Sequence, residues 1–118
     1  MGSWGVLDVS DAVEAVNQLS KRALIDRKRA CIRGANVGGF TTLATLSTKP
    51  GIFAAGASFC SASDLAKLQR AMPKLTSHMV EGLIGGSLDE VPDVWEKRSP
   101  LNGAVNIKVP LLVRSARY

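Results

Sequence analysis

Apolar residues along this chain switch between two spacings. Over residues 8 to 22, Val9, Ala12, Val13, Val16 and Leu19 recur every three or four positions among polar neighbours, which predicts an amphipathic helix. Asp8 stands where it can cap that helix, Asp11 and Glu14 lie in its early turns, and Lys21 and Arg22 suit the negative end of its dipole. A loop through Asp26 to Lys28 leads to a short strand over about residues 29 to 33. A second helical pattern starts at Phe40 and runs to about Ser47, where Lys49-Pro50-Gly51 stops it. Ile52 to Phe59 is then a continuous apolar run of strand length, the pattern of a parallel strand buried on both faces. Beyond it the spacing predicts a helix from Leu65 to Ala71 capped by Ser63 or Asp64, and another from about Leu75 to Leu83 with Leu75, Met79 and Leu83 on one face. Residues 87 to 98 read as an irregular polar connection, Ser99-Pro100 as the start of a short helix to about Val105, and Pro110 to Val113 as a third buried strand. Helices alternating with short apolar strands predict an α/β fold with about three parallel strands and flanking helices.

Composition narrows this reading. The chain has 118 residues, 46% of them hydrophobic and 21% charged, which fits one folded domain or part of one and excludes a disordered segment. Its longest apolar stretches, Ile52 to Ala57 and Val109 to Val113, are too short to span a bilayer. Met1 to Gly5 lacks the basic and apolar regions of a signal peptide, so the expected location is the cytoplasm, with no membrane partner. Part of the net charge of +5 comes from Lys21, Arg22, Arg27, Lys28, Arg29 and Arg33. No aromatic residues are interleaved with them and no nucleic-acid motif accompanies them, so they read as a solvated helix end and loop, and no nucleic-acid partner is expected. Cys31 and Cys60 fall in predicted buried strands, where a free thiol acts as a small hydrophobe. With His78 the sole histidine and no C-x-x-C spacing, neither a metal nor another cofactor is expected.

The chemistry-bearing stretch joins the first strand to the second helix. Ile32-Arg33-Gly34-Ala35-Asn36-Val37-Gly38-Gly39-Phe40-Thr41 reads as strand, sharp turn and helix. The nucleophile elbow G-x-S-x-G has this layout, its small residues letting strand and helix pack closely while one side chain stands proud. Here the frame is Gly34-Ala35-Asn36-Val37-Gly38, with Asn36 at the centre. The lone pair of an amide nitrogen is delocalised into its carbonyl, so no neighbouring base can activate it as a base activates a hydroxyl. Another triad, drawn from Ser58, Ser61 or Ser63 with Asp64 and His78, has no second elbow to expose the serine, and His78 falls on a helix surface. The glycines before a helix could also hold an anion, but the G-K-[ST] ending of a phosphate loop is missing.

Further landmarks lie in order along the chain: Trp4-Gly5-Val6-Leu7-Asp8-Val9-Ser10-Asp11, Asp26-Arg27-Lys28-Arg29, Cys31 to Thr41, Phe53 to Ser58, Ser63-Asp64-Leu65, Arg98-Ser99-Pro100-Leu101-Asn102 and Ile107 to Val113. Together they resemble the catalytic domain of the prolyl oligopeptidase family of serine peptidases, especially its acylaminoacyl-peptidase and dipeptidyl-peptidase-like branches. The resemblance implies that residues 1–118 form a single partial α/β-hydrolase domain, its three strands neighbours within a larger parallel sheet, in a family that hydrolyses peptide bonds. It places Asn36 at the nucleophile position and leaves the backbone N–H of Val37 as the residual oxyanion donor. It also implies a catalytic Asp and a later His beyond the Val113 strand, and Arg114 to Tyr118 supply neither. A β-propeller and the early strands of the domain are implied before Met1. The expectation is therefore a fragment or degenerate peptidase, inactive as it stands, with no intact catalytic residue. The alternative is a non-catalytic interaction module, self-associating or pairing with another chain through an exposed sheet edge.

Overall fold

The structure, a computed structural model, describes residues 2–115. Its elements are α1 (Leu7–Lys21), β1 (Cys31–Ala35), α2 (Val37–Thr48), β2 (Ala55–Phe59), α3 (Leu65–Ala71), α4 (Lys74–Ile84), α5 (Pro92–Arg98) and β3 (Leu111–Arg114), with 3₁₀ helices at Arg27–Arg29 and Pro100–Asn106. The strands form one parallel sheet in the order β1-β2-β3, Cys31 opposite Ala55 and Gly56 opposite Leu111. Three parallel strands with flanking helices are the α/β architecture that the apolar spacing predicts.

Helix α2 is the centre of the molecule. Gly39, Phe40 and every residue from Thr42 to Ser47 are buried. Phe40 and Ala44 enter one apolar cluster with Val9, Leu65, Val80, Ile84 and Trp95. Leu46 enters a second with Val16 and Phe53, against which Ile32 and Leu111 of the sheet pack. A helix covered all round needs its polar side chains satisfied from within. Thr42 and Thr45 do this by donating their hydroxyls to the carbonyls of Gly38 and Thr41, one turn back, at 2.9 and 2.7 Å.

Several local expectations need correction. Residues 87 to 98 are not irregular, because Pro92 opens α5 and Trp95 is wholly buried at the centre of the first cluster, its Nε1 donating to the Gly86 carbonyl at 3.1 Å. Just before α5, Ser87 N–H donates to Glu90 Oε2 at 2.9 Å and Glu90 N–H to Ser87 Oγ at 3.2 Å, a reciprocal brace. Hydrogen bonding from the Ser87 backbone, then from its side chain, holds the Glu90 carboxyl below its ordinary value. Strand β1 begins two residues late because Arg27–Arg29 form a 3₁₀ turn, capped by Asp26, whose carboxylate accepts from Lys28 N–H at 3.0 Å. On α4 the inward face is Val80 and Ile84, while Leu75 and Met79 face solvent. Asp64 caps α3 as expected, accepting from Lys67 N–H at 3.0 Å.

The cysteines are not buried. Cys31 begins β1 on the side of the sheet away from α2, and Cys60 lies just past β2; both are exposed and free. The expectation of burial treated the strands as covered on both faces, and α2 covers only one. Strands β1 and β3 are both sheet edges. Among the described residues no helix is long and apolar enough to cross a membrane.

Candidate active site at the strand–helix turn

A single residue separates β1 from α2, and it is Asn36. Its backbone has φ 52° and ψ −115°, a conformation that glycine adopts freely and residues with side chains rarely. Such a residue stores about 1–3 kcal/mol, held in place by its surroundings. Two hydrogen bonds supply the hold: Asn36 N–H donates to the Phe59 carbonyl at 2.9 Å, and the Asn36 carbonyl accepts from Phe40 N–H at 3.0 Å. The first ties the turn to β2 and the second starts the helix. Asn36 itself is exposed, and its side chain does not cap α2. Val37 opens the helix, so its N–H lies outside the helical ladder and points a free donor at the same end.

Glycines make this geometry possible by closeness rather than by flexibility. A Cβ on Gly34 would lie 2.2 Å from the Gly38 carbonyl oxygen, and one on Gly39 would lie 2.7 Å from Ser61 Cβ. Gly38 meets nothing within 4 Å, so space does not demand a glycine there.

The turn opens on a cavity of about 290 Å³. Asn36 and Ser61 belong to its polar lining, and Val37, Cys60 and the rings of Trp4 and Phe40 line it with them. These rings lie 4.2 Å apart between centroids, tilted by 39°. Trp4 is held there by two charged side chains that sequence reasoning did not connect with the turn. The Asp8 carboxylate accepts from Gly5 N–H at 2.7 Å with one oxygen and from the Thr41 hydroxyl on α2 with the other, instead of capping α1. Arg98 Nη1 donates to the carbonyls of Gly2, Trp4 and Ile84 at 2.8, 3.2 and 3.0 Å, fastening the N-terminal segment to the end of α4. The only sequence signal for this arrangement was Trp4-Gly5 with an aspartate three residues on.

The other candidates do not assemble. Ser58 is buried, its Oγ donating to the Gly39 carbonyl at 3.0 Å and paired with Ser61 Oγ. Ser63 lies outside the helix start that Asp64 caps. The His78 side chain is 80% exposed on α4, with Nδ1 at 2.9 Å from Glu81 Oε2. Among the described residues, no histidine or carboxylate lines the cavity beside Asn36. Among the described residues no three His, Cys, Asp or Glu gather as a metal-ligating group. The six basic residues from Lys21 to Arg33 are all exposed.

Comparison with known proteins gives this geometry a context. The family model described as "Prolyl oligopeptidase family" matches residues 1–117. Dipeptidyl aminopeptidase BIII of Pseudoxanthomonas mexicana is 31% identical over 116 residues, covering 95% of this chain and 17% of that protein. A crystal structure of puromycin hydrolase superimposes with a TM-score of 0.88 at 31% identity, over 95% of this chain and 17% of its own. A puromycin-hydrolyzing peptidase of Mycobacterium tuberculosis gives 0.87 at 37% identity, over 93% and 17%. The chain thus spans less than one fifth of the length of these relatives.

The contact geometry of the turn predicts opposite outcomes at two neighbouring glycines. Gly34→Ala drives a methyl into backbone, and urea unfolding should show a loss of about 2 kcal/mol or more. Gly38→Ala has open space and a helical position, so it should be neutral or stabilising by up to about 1 kcal/mol. The reverse order would contradict the packing described.

Proposed function

The chain belongs to the prolyl oligopeptidase family of serine peptidases, and from that premise we propose that Asn36 occupies the nucleophile position of its α/β-hydrolase elbow, leaving the chain without hydrolase activity as it stands. The observation that carries this reading is the backbone of Asn36: a strained residue alone between a parallel strand and a buried helix, exposed above a cavity. An elbow of this shape presents a side-chain oxygen to an acyl carbon, and the free N–H at the start of the following helix receives the developing oxyanion. Val37 N–H retains that second role. The first is lost, because the Asn36 amide cannot be deprotonated by a general base at neutral pH. No histidine or carboxylate among the described residues lines the cavity beside Asn36 to serve as a general base. Triad members act as a unit, so loss of the nucleophile alone is enough to cut turnover by several orders of magnitude.

In the relatives, peptides and puromycin are the molecules named as hydrolysed or as giving the enzyme its name. For this chain the proposal is that the cavity beside Asn36 is the remnant of a peptide site, with Trp4 and Phe40 as its apolar wall.

A second reading is favoured by the edge position of β1, whose outer side has no neighbouring strand among the described residues. An unpaired parallel edge offers N–H and C=O groups to another chain, so the protein can act as an interaction module that pairs there.

Each reading has its own measurement. A fluorophosphonate probe should not label the purified chain, and chromogenic dipeptide amides should not be turned over; stoichiometric labelling of any serine would refute the loss of the nucleophile. Light scattering on a sizing column should show dimers whose fraction rises with concentration if the β1 edge pairs. A monomer throughout the accessible range would count against the edge reading and leave the first intact.

A further inference from the structure

The molecule has a larger cavity than the one beside Asn36, about 620 Å³ against about 290 Å³, and the two share no residue. No strand residue lines it, so its form is set by how three helices pack and not by the extent of the sheet. Helix α2 is its floor, α1 with the residues just before it is one wall, and α5 is the other. Between those walls α2 presents Ala44 and Thr48, both small, and the Thr48 hydroxyl donates back to the Ala44 carbonyl at 2.6 Å. Val6, Val9 and Val94 make the sides apolar. Lys49 ends α2 and Lys97 lies in the last turn of α5, and both are exposed. Arg98 adds a third cation to the lining and Asp93 its one carboxylate, which leaves the groove with a net charge of +2.

We propose that this groove binds a single amphipathic carboxylate of medium chain length, its alkyl chain on Val9, Ala44 and Val94 and its carboxylate on Lys49 and Lys97. Three observations select this occupant. The first is size, since small-ligand sites occupy roughly 300–1,000 Å³ and this groove falls within that span. A helix about 10 Å across fills roughly 400 Å³ per turn, so there is room for little more than one turn of a partner helix. The second is charge. Neither lysine has an ion-pair partner, the sole ion pair among the described residues being His78 with Glu81, so an incoming carboxylate meets cations not already neutralised. The third is the apolar lining. Pairing with exposed lysines is weak in water, so an anion without a tail gains little here, whereas an alkyl chain laid on the valines gains affinity by burial. A cationic amphiphile of the same length meets repulsion from the three cations, so the groove selects by sign as well as by length. The inference is independent of whether the elbow is catalytic, because the two cavities are lined by different residues.

The test uses the whole chain and two probes of equal length and opposite charge, decanoate and decylammonium, each kept below its micelle concentration. Trp4 adjoins Gly5 and Trp95 adjoins Val94 at the groove, so intrinsic fluorescence reads its occupancy, and titration calorimetry counts the equivalents bound. Decanoate should saturate the chain at one equivalent, decylammonium should bind at least about tenfold more weakly, and acetate should not bind measurably. Val6 is exposed and stands at the N-cap of α1, where aspartate is well suited. Val6→Asp therefore keeps the fold, places a carboxylate in the groove and should weaken decanoate binding at least about tenfold. Lys49→Glu with Lys97→Glu should reverse the preference between the two probes. Equal binding of decanoate and decylammonium, uptake of several equivalents without saturation, or full decanoate affinity in Val6→Asp overturns the proposal even if the doubly substituted protein fails to fold.

Discussion

The closest contact between backbone elements decides the form of this molecule. Helix α2 starts one residue after β1 and folds straight back over the sheet, so that Gly34 and Gly38 pass within a distance that excludes even a methyl group. Everything else is arranged around that contact. Because the helix lies so near the strands, Phe40, Ala44 and Leu46 reach both apolar clusters, and the threonines between them must turn their hydroxyls back onto the helix. Because the turn has only one residue, that residue carries the strain, and because the strand ends there, its side chain stands in solvent at the sheet's rim.

The strained turn would relax without support from both sides. On the sheet side the support is the hydrogen bond from Asn36 N–H to Phe59 of β2. On the helix side it is the Trp4–Phe40 contact, fixed by Asp8 and Arg98 acting over long sequence separations. Arg98 is notable for where its charge goes: one nitrogen serves three carbonyls and no carboxylate. Guanidinium donors suit this use, since burial against neutral acceptors leaves the cation in place without requiring a buried anion. The cavity next to Asn36 is thus a product of packing among remote segments and not of the glycine turn alone.

Much of this was legible in the sequence where spacing and special residues agree. The strand–turn–helix of the elbow followed from glycines with no other reason to cluster, α1 followed from periodicity, and α3 from periodicity and its capping Asp64. Helix α5 was hidden because its seven residues are mainly polar or charged and only Val94 and Trp95 turn inward. Cys31 and Cys60 were read as buried because continuous apolar strands imply cover on both faces, whereas among the described residues both thiols are exposed. On α4, Leu75 and Met79 form as regular a stripe as Val80 and Ile84, and periodicity alone cannot say which stripe meets the core. The roles of Asp8 and Arg98 were illegible for another reason: each depends on tertiary closure between segments far apart in the chain.

Asn36 is held in a backbone conformation that its side chain resists. Replacement by glycine tests this directly, because glycine accepts φ 52° and ψ −115° without steric cost while losing more chain entropy on folding. Urea unfolding of Asn36→Gly against the parent chain is the measurement. Relief of strain predicts a net gain of about 1 kcal/mol, with an unchanged denaturant slope. A loss of stability of similar size would mean that Asn36 sits in an ordinary conformation, and that the turn is not the strained elbow on which the functional reading stands.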